Sequence, residues 1–402
     1  MNKTLKLAVA AALLAGASSA NAGIMIPAGD WTLDIGGIVN AYYTSTSYSG
    51  DNAAGTGPLG VGTGAQDTTS NITTGLLPNY LSVSGKTRQN DLDVAFTISI
   101  NPGASTRGSG KQSPQQENRQ AFLTFGDASW GSIKLGKDLG IYASDAILND
   151  MTLLGVGSAA GGLAGNTTTL GRIGRGFMYA DWKSQVAYTS PNFNGFNFTV
   201  GLTQAWNAVG TGTSASSTGR GGSSTAYEGK ASYAWTGDVA GKVWASFISQ
   251  KVEGLTNDAS ADLGDDRANA WDIGTTVNVA GLGLTGYYGQ GDGIGQTLQL
   301  NGGFDAAGKS RDSDQWYVQA TYAIPTGTKL GLSYGQSTLD GNSGEAFNEI
   351  EDSMTVFGAY HPITKHLNLV AEYAVSERDV DNVAADAKAK AKTISLGAIL
   401  FF

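Results

Sequence analysis

The sequence predicts an all-β fold, a transmembrane antiparallel β-barrel of about sixteen strands. Three observations predict it. Polar and apolar side chains alternate along segments of about ten residues, short and long connections follow one another between these segments, and residues 393–402 at the end carry no charged side chain.

The alternation has a period of two, which is the period of a β-strand. In residues 315–323, for example, Trp316 and Val318 share one face, and Tyr317 and Gln319 share the other. A soluble β-sandwich shows the same alternation, so the pattern alone does not identify a membrane protein. Strands are expected near residues 31–45, 79–86, 91–101, 118–126, 130–137, 180–190, 195–206, 226–236, 240–251, 268–279, 282–291, 313–323, 328–338, 352–361, 366–375 and 391–402.

The connections between these strands alternate in length. Tight turns are expected at residues 126–129, 236–238, 325–327 and 362–364. Long connections rich in Gly, Ser, Thr and Asp are expected at residues 46–78, 207–225, 252–267 and 292–312. Short turns at one rim and long loops at the other are typical of a transmembrane barrel, whereas a sandwich has no reason to alternate so regularly.

Aromatic side chains cluster near the expected strand ends, where amphipathic rings suit the two bilayer interfaces. They are Tyr42, Tyr43, Trp130, Phe196, Phe198, Trp206, Trp235, Trp244, Trp271, Tyr287, Tyr288, Trp316 and Tyr360. The alternative is that these rings form the core of a soluble sheet. The last strand favours the barrel, because Ile394, Leu396 and Leu400 share one face and the strand can close the sheet against the first one.

The first 22 residues have the features of a secretory signal peptide. Lys3 and Lys6 precede the apolar residues 7–15, and Ala20-Asn21-Ala22 forms a cleavage site. The apolar run is too short for a membrane-anchoring helix, and no later stretch approaches that length. We therefore expect cleavage after Ala22 and a mature barrel domain of residues 23–402.

Composition and motifs argue against several other functions. The net charge of −9 argues against a nucleic-acid partner, and the chain has no Cys. The two histidines, His361 and His366, match neither a zinc motif nor a catalytic triad. We therefore expect no enzyme activity, no cofactor and no metal site. Asp262, Asp265 and Asp266 could hold Ca²⁺, but they lack EF-hand spacing and fit a solvated loop better.

Two stretches resemble the trimeric general-diffusion porins of Gram-negative outer membranes. The first comprises residues 118–125 and 130–137, and the second comprises residues 171–174 and 186–196, with a Tyr-x-Ser-Pro-x-Phe-x-Gly-Phe pattern. The resemblance covers essentially the whole mature chain, with sequence detail from about residue 80 to residue 205. It implies an outer-membrane homotrimer in contact with lipid and lipopolysaccharide, through which small hydrophilic solutes and ions diffuse passively.

In that family the long third loop folds back into the barrel and narrows it, and here this loop would be about residues 138–179. By similarity, the candidate constriction residues are Arg119, Arg172, Lys137, Asp150, Arg175 and Tyr80. The arginines and Lys137 would form the basic wall, and Asp150 would be the acidic residue of the loop. Two positions depart from the family pattern, because Tyr80 replaces a wall arginine of many relatives and no second acid follows Asp150.

Two alternative functions stay open at this point. One is a substrate-specific channel, in which loop 138–179 binds a sugar or a carboxylate. Concentration-dependent block of the ion current by a solute would distinguish it. The other is a non-transport surface β-barrel or adhesin, or a soluble secreted β-protein, which solubility without detergent would favour.

Overall fold

The computed structural model of this chain describes residues 23–50, 68–105, 116–159, 168–210, 214–217, 219 and 223–402. The expected signal peptide, residues 1–22, lies outside these ranges, so cleavage after Ala22 stays a prediction. No helix in the described ranges is long and apolar enough to cross a membrane.

The described residues form twenty strands and one α-helix. The strands are β1 (Ile24–Ala28), β2 (Trp31–Gly50), β3 (Thr68–Thr73), β4 (Tyr80–Gln89), β5 (Leu92–Pro102), β6 (Gln116–Glu117), β7 (Ala121–Asp127), β8 (Gly131–Leu139), β9 (Trp182–Thr189), β10 (Phe196–Gln204), β11 (Ser216–Ser217), β12 (Thr225–Trp235), β13 (Val239–Thr256), β14 (Asp262–Val279), β15 (Leu282–Asp292), β16 (Asp312–Ala323), β17 (Lys329–Asp340), β18 (Phe347–Pro362), β19 (Leu367–Asn382) and β20 (Ala387–Phe401). The helix is α1 (Ser144–Asn149).

Sixteen of these strands form a closed antiparallel barrel, which confirms the predicted fold class. The four short strands β1, β3, β6 and β11 extend the pairing of their neighbours. The barrel closes where β20 pairs with β2, from Ile38 opposite Phe401 to Gly50 opposite Ala389. Each barrel strand pairs with a neighbour on both sides, so closure leaves no open sheet edge facing the lipid.

The two faces of the sheet differ as the alternation predicts. The exposed face is apolar, as in a transmembrane barrel, and the inward face is mostly buried. On β16, Val318 is 51% exposed and the neighbouring Tyr317 is fully buried. On β18, Phe357 is 54% exposed and Met354 is fully buried. A contiguous exposed apolar face is unfavourable in water and favourable in hydrocarbon. The outer surface is therefore suited to a bilayer.

Some of the expected aromatic girdle lies inside the barrel instead. Tyr42, Trp244, Tyr287 and Tyr360 are inward-facing and almost completely buried, whereas Tyr43, Trp271 and Tyr288 are exposed on the outer face. Parity along the strand decides this, since Tyr42 and Tyr43 are adjacent and must point to opposite faces. Strand-end position alone could not assign these rings to a face.

The expected long connection at residues 252–267 is wrong. The structure continues β13 to Thr256 and starts β14 at Asp262, which leaves a turn of residues 257–261. Asp262 pairs with Thr256 in the ladder, and Lys251 forms ion pairs with Glu253 and Asp265. Charged residues suggested a loop here, but a strand that continues beyond the apolar band can carry charges on both faces.

Candidate functional site

The connection between β8 and β9 packs against the inward face of the sheet. We call its described residues, 140–159 and 168–181, the inner segment; it contains α1 and a turn of 3₁₀-helix at Met151–Leu154. The hydroxyl of Tyr317 on β16 donates a hydrogen bond to the carbonyl of Ala146 at 2.9 Å. The side-chain oxygen of Gln319 accepts one from the Met151 backbone at 2.6 Å. The inner segment is thus fixed to the wall by inward-facing polar side chains.

Glu228 on β12 holds the start of the inner segment. Its Oε2 accepts hydrogen bonds from the backbone N–H groups of Ile141 and Tyr142, at 2.7 and 2.8 Å. Its Oε1 lies 2.6 Å from the Nζ of Lys183 on β9, and both side chains are fully buried. Because an unpaired buried charge is costly, the lysine is what allows a carboxylate at this position.

Glu372 on β19 holds the middle of the segment in the same way. Its Oε2 accepts hydrogen bonds from the consecutive N–H groups of Val156 and Gly157, both at 2.8 Å. Its Oε1 accepts a hydrogen bond from the Tyr360 hydroxyl at 2.7 Å. The two glutamates therefore satisfy four backbone donors that would otherwise be buried without partners.

Arg172 and Asp150, two of the expected constriction residues, come together in the structure. Both side chains are buried, and the arginine Nε lies 3.5 Å from the carboxylate. The guanidinium also donates hydrogen bonds to the carbonyl of Met354 at 3.0 Å and to the hydroxyl of Ser333. Arg172 thus joins the inner segment to β17 and β18.

Arg175 lies near the Arg172–Asp150 pair and is also completely buried. Burial lowers its pKa to about 10, and the nearby carboxylate of Asp352 on β18 opposes that shift. Its position against the barrel wall resembles that of Arg172 more than that of a charge facing water.

Arg119, just before β7, contacts the inner segment at Thr168. Its Nε donates a hydrogen bond to Glu117 at 2.7 Å, and an Nη donates one to Thr168 at 3.3 Å. The guanidinium lies 5.7 Å from the centroid of the Trp182 ring. The side chain is 5% exposed. Arg119 therefore contacts the inner segment from the side of the barrel that faces β17 and β18, the strands that Arg172 contacts.

Lys137 and Tyr80 are not brought into this group. Lys137 has the same parity on β8 as the exposed Leu135, and its Nζ donates a hydrogen bond to the carbonyl of Asn118 at 2.9 Å. Tyr80 begins β4 and packs, half-buried, against the apolar cluster around Ile38. The structure thus places Lys137 on the outer face and Tyr80 beside the barrel seam.

Two lysines that the sequence interpretation did not single out face the interior. Lys230 on β12 lies 3.2 Å from the carboxylate of Asp145 in α1, and Lys242 on β13 pairs with the same carboxylate. Both lysines remain partly exposed, whereas Asp145 is buried. Burial by itself would raise the pKa of Asp145, but the two ammonium groups outweigh it and lower the pKa. Alternating parity on β12 and β13 could have identified both lysines.

Comparisons with known proteins are consistent with this architecture. A sequence profile of the Gram-negative porins matches residues 8–381. This chain belongs to the Gram-negative porin family. No curated protein matched it in sequence.

Solved structures of outer-membrane channels share the fold of this porin. The outer-membrane channel DcaP of Acinetobacter baumannii has a TM-score of 0.66 at 18% identity, covering 95% of this chain and all of that one. The anion-selective porin of Comamonas acidovorans has a TM-score of 0.60 at 14% identity, over 92% of this chain and all of that one. The trimer form of OmpT of Vibrio cholerae has a TM-score of 0.56 at 14% identity, over 92% of this chain and 99% of that one.

Family and fold together make this porin a general diffusion channel of the outer membrane. They are those of channel proteins rather than of enzymes. In the described ranges, no three His, Asp or Glu side chains are grouped as ligands of a metal ion.

A second stretch of this porin also packs inside the barrel, and the sequence interpretation missed it. Residues 293–311, between β15 and β16, were expected to form a long Gly-rich connection, and we call them the second inner segment. Leu300 and Phe304 are fully buried within it. Apolar residues in an otherwise Gly-rich connection are the signal that could have revealed this packing.

Proposed function

We propose that the water-filled passage of this porin runs between the inner segment and strands β4, β5, β7 and β8. Inward-facing side chains on these strands are partly exposed, including Lys86, Thr97, Thr124 and Lys134. The inward face of β16 to β18 is instead covered by the inner segment, with Tyr317 and Met354 fully buried. This difference in exposure between the two sides of the interior is the observation that carries the proposal.

Such a passage would select solutes by size and charge without any reaction. A narrow aqueous space between low-dielectric walls strengthens the field of the charges along it, and polar solutes and ions enter more readily than apolar ones. Small hydrophilic solutes and ions are therefore the proposed cargo. Arg172 and Asp150 would act here by fixing the inner segment, because both are buried in a pair.

Single cysteines test the position of the passage, because the natural chain has no Cys. In planar bilayers, we expect a charged, membrane-impermeant thiol reagent to reduce the current through Thr97→Cys. The matched control is Ser337→Cys, whose inward-facing position on β17 is fully buried beneath the inner segment. Block of the control and not of Thr97→Cys would place the passage on the other side of the interior.

We further propose that the porin is a homotrimer whose outer apolar face contacts lipid and lipopolysaccharide. The trimer form recorded for the Vibrio cholerae relative and the exposed apolar face support this. We expect conductance steps in multiples of three and a trimer mass in detergent. A purified, folded protein that inserts into bilayers and gives no conductance would refute the channel.

A substrate-specific channel is the second candidate, because two inner segments rather than one occupy the interior. A smaller open cross-section brings solutes close to the wall and favours selective contacts. The test is a titration of the ion current with a sugar and with a dicarboxylate. Saturable block at low concentration by one of them would favour this candidate over general diffusion.

A further inference from the structure

One glutamine side chain of the second inner segment contacts both the inner segment and the buried Lys183. Gln299 lies in the second inner segment, and its Oε1 accepts a hydrogen bond from the Lys183 Nζ at 2.5 Å. Its Nε2 donates to the carbonyls of Tyr179 and Ala180, at 3.0 and 3.3 Å. Gln299 therefore contacts the end of the inner segment and the strand that follows it.

Lys183 connects this contact to the start of the inner segment. The lysine is fully buried and also pairs with Glu228, which holds the N–H groups of Ile141 and Tyr142. Both ends of the inner segment are thus linked by a hydrogen-bond network that runs from Gln299 through Lys183 to Glu228. The ends of a connection of about forty residues are held at one point inside the barrel.

The backbones of the two segments are also in direct contact. The N–H of Tyr179 donates to the carbonyl of Thr297 at 3.1 Å. Gly174 has a φ of +71°, and a Cβ there would lie 2.3 Å from the Oγ1 of Thr297, so the contact leaves no room for a side chain. The second inner segment is fixed in turn by Arg311, whose Nε donates to Glu345 at 2.8 Å.

We propose that Gln299 is a positioning residue that locks the inner segment, so that the second inner segment helps to set the width of the passage. This inference rests on the proposed function. An amide suits the position because it offers an acceptor to the lysine and donors to two carbonyls at the same time. A leucine offers neither, and a glutamate offers only acceptors, which would face two carbonyl oxygens.

Variants of Gln299 test the lock, with Gln290→Leu as the matched control on the exposed outer face of β15. We expect Gln299→Leu and Gln299→Glu to raise single-channel conductance and to increase transitions between current levels. We expect Gln290→Leu to behave like the natural chain. Gln299 variants that fold and conduct like the natural chain would overturn the proposal.

Hydrogen exchange gives a second readout that does not depend on conductance. In folded, detergent-solubilised protein, we expect amides of the inner segment near Tyr179 to exchange faster in Gln299→Leu than in Gln290→Leu. Unchanged exchange would overturn the lock even if the current changed. A natural chain that does not conduct would refute the proposed function while leaving the exchange result to decide the lock.

Discussion

The guanidinium of Arg172 lies 3.5 Å from the carboxylate of Asp150, and neither side chain is exposed. The resemblance to known porins places these two charges on opposite sides of a passage. In the structure they form a pair within the inner segment, and the arginine continues to the carbonyl of Met354 on β18. Their main effect is therefore expected on the position of the segment, with only an indirect effect on ion selectivity.

Replacing Arg172 with Met should destabilise the inner segment strongly. The substitution leaves Asp150 buried without its cation, and breaking one partner of a buried pair costs about 3 to 5 kcal/mol. We expect a lower unfolding temperature in detergent and noisy, enlarged conductance. The unfolding temperature should fall less in the double variant Asp150→Asn with Arg172→Met than in Arg172→Met alone. An equal fall in both variants would show that the pair contributes little.

Replacing Glu372 with Leu should release the middle of the inner segment. The N–H groups of Val156 and Gly157 lose their acceptor, and each unsatisfied buried group costs about 1 to 3 kcal/mol. We expect raised single-channel conductance. Tyr360→Phe removes only one hydrogen bond to the same carboxylate. We therefore expect the free energy of unfolding to fall by about 1 kcal/mol and the current to stay near normal. A larger effect from Tyr360→Phe than from Glu372→Leu would contradict this account.

Neutralising Lys230 and Lys242 together, as Lys230→Gln and Lys242→Gln, should shift ion selectivity toward cations. Both ammonium groups are partly exposed on the inward face, and their removal lowers the local concentration of anions. The measurement is the reversal potential in a salt gradient. Lys251→Gln is the control, because Lys251 is a partly exposed strand lysine whose ion pairs are with Glu253 and Asp265 of β13 and β14. Equal shifts in the control and the double variant would refute the prediction.

The same pair of lysines should set the pH dependence of α1. Lys230 and Lys242 lower the pKa of Asp145, so the folded-state pKa lies below the unfolded value. The stabilisation is present above the unfolded pKa, near 4, and is lost only as the pH falls through the folded-state pKa. We expect no loss of stability from this group between about pH 8 and about pH 5. In the double glutamine variant, burial should raise the pKa, and stability should begin to change at a higher pH.

The N-terminus of the mature protein should be Gly23. Ala20-Asn21-Ala22 fits a signal-peptidase site. Mass spectrometry of the protein purified from outer membranes checks this directly. Replacing Ala22 with a bulky residue should leave the precursor uncleaved, and normal processing of that variant would place the cleavage site elsewhere.

Strand parity made most of the barrel predictable. The expected strand at residues 313–323 is β16 at Asp312–Ala323, and the expected strand at residues 282–291 is β15 at Leu282–Asp292. Errors arose where strands continue beyond the apolar band, as in β13 and β14, because polar composition there resembles that of a loop. Parity could likewise have placed Lys137 on the outer face, but the resemblance to known porins assigned it to the basic wall.

The candidate site was less predictable. Arg172 and Asp150 could be named from sequence, but their pairing depends on how a connection of about forty residues folds back. Glu228, Lys183 and Gln299 carry no local motif. Their importance comes from contacts between residues more than forty positions apart in the chain.

The sequence by itself determined the period-two strands, the even strand number and the apolar outer face, because these follow from local alternation and from turn residues. The tertiary structure alone decided which charges are buried, which glutamates hold the inner segment, and that a second segment joins it. Those outcomes depend on closing the sheet, which brings distant side chains into one enclosed space where buried polar groups are stabilised by partners from other strands.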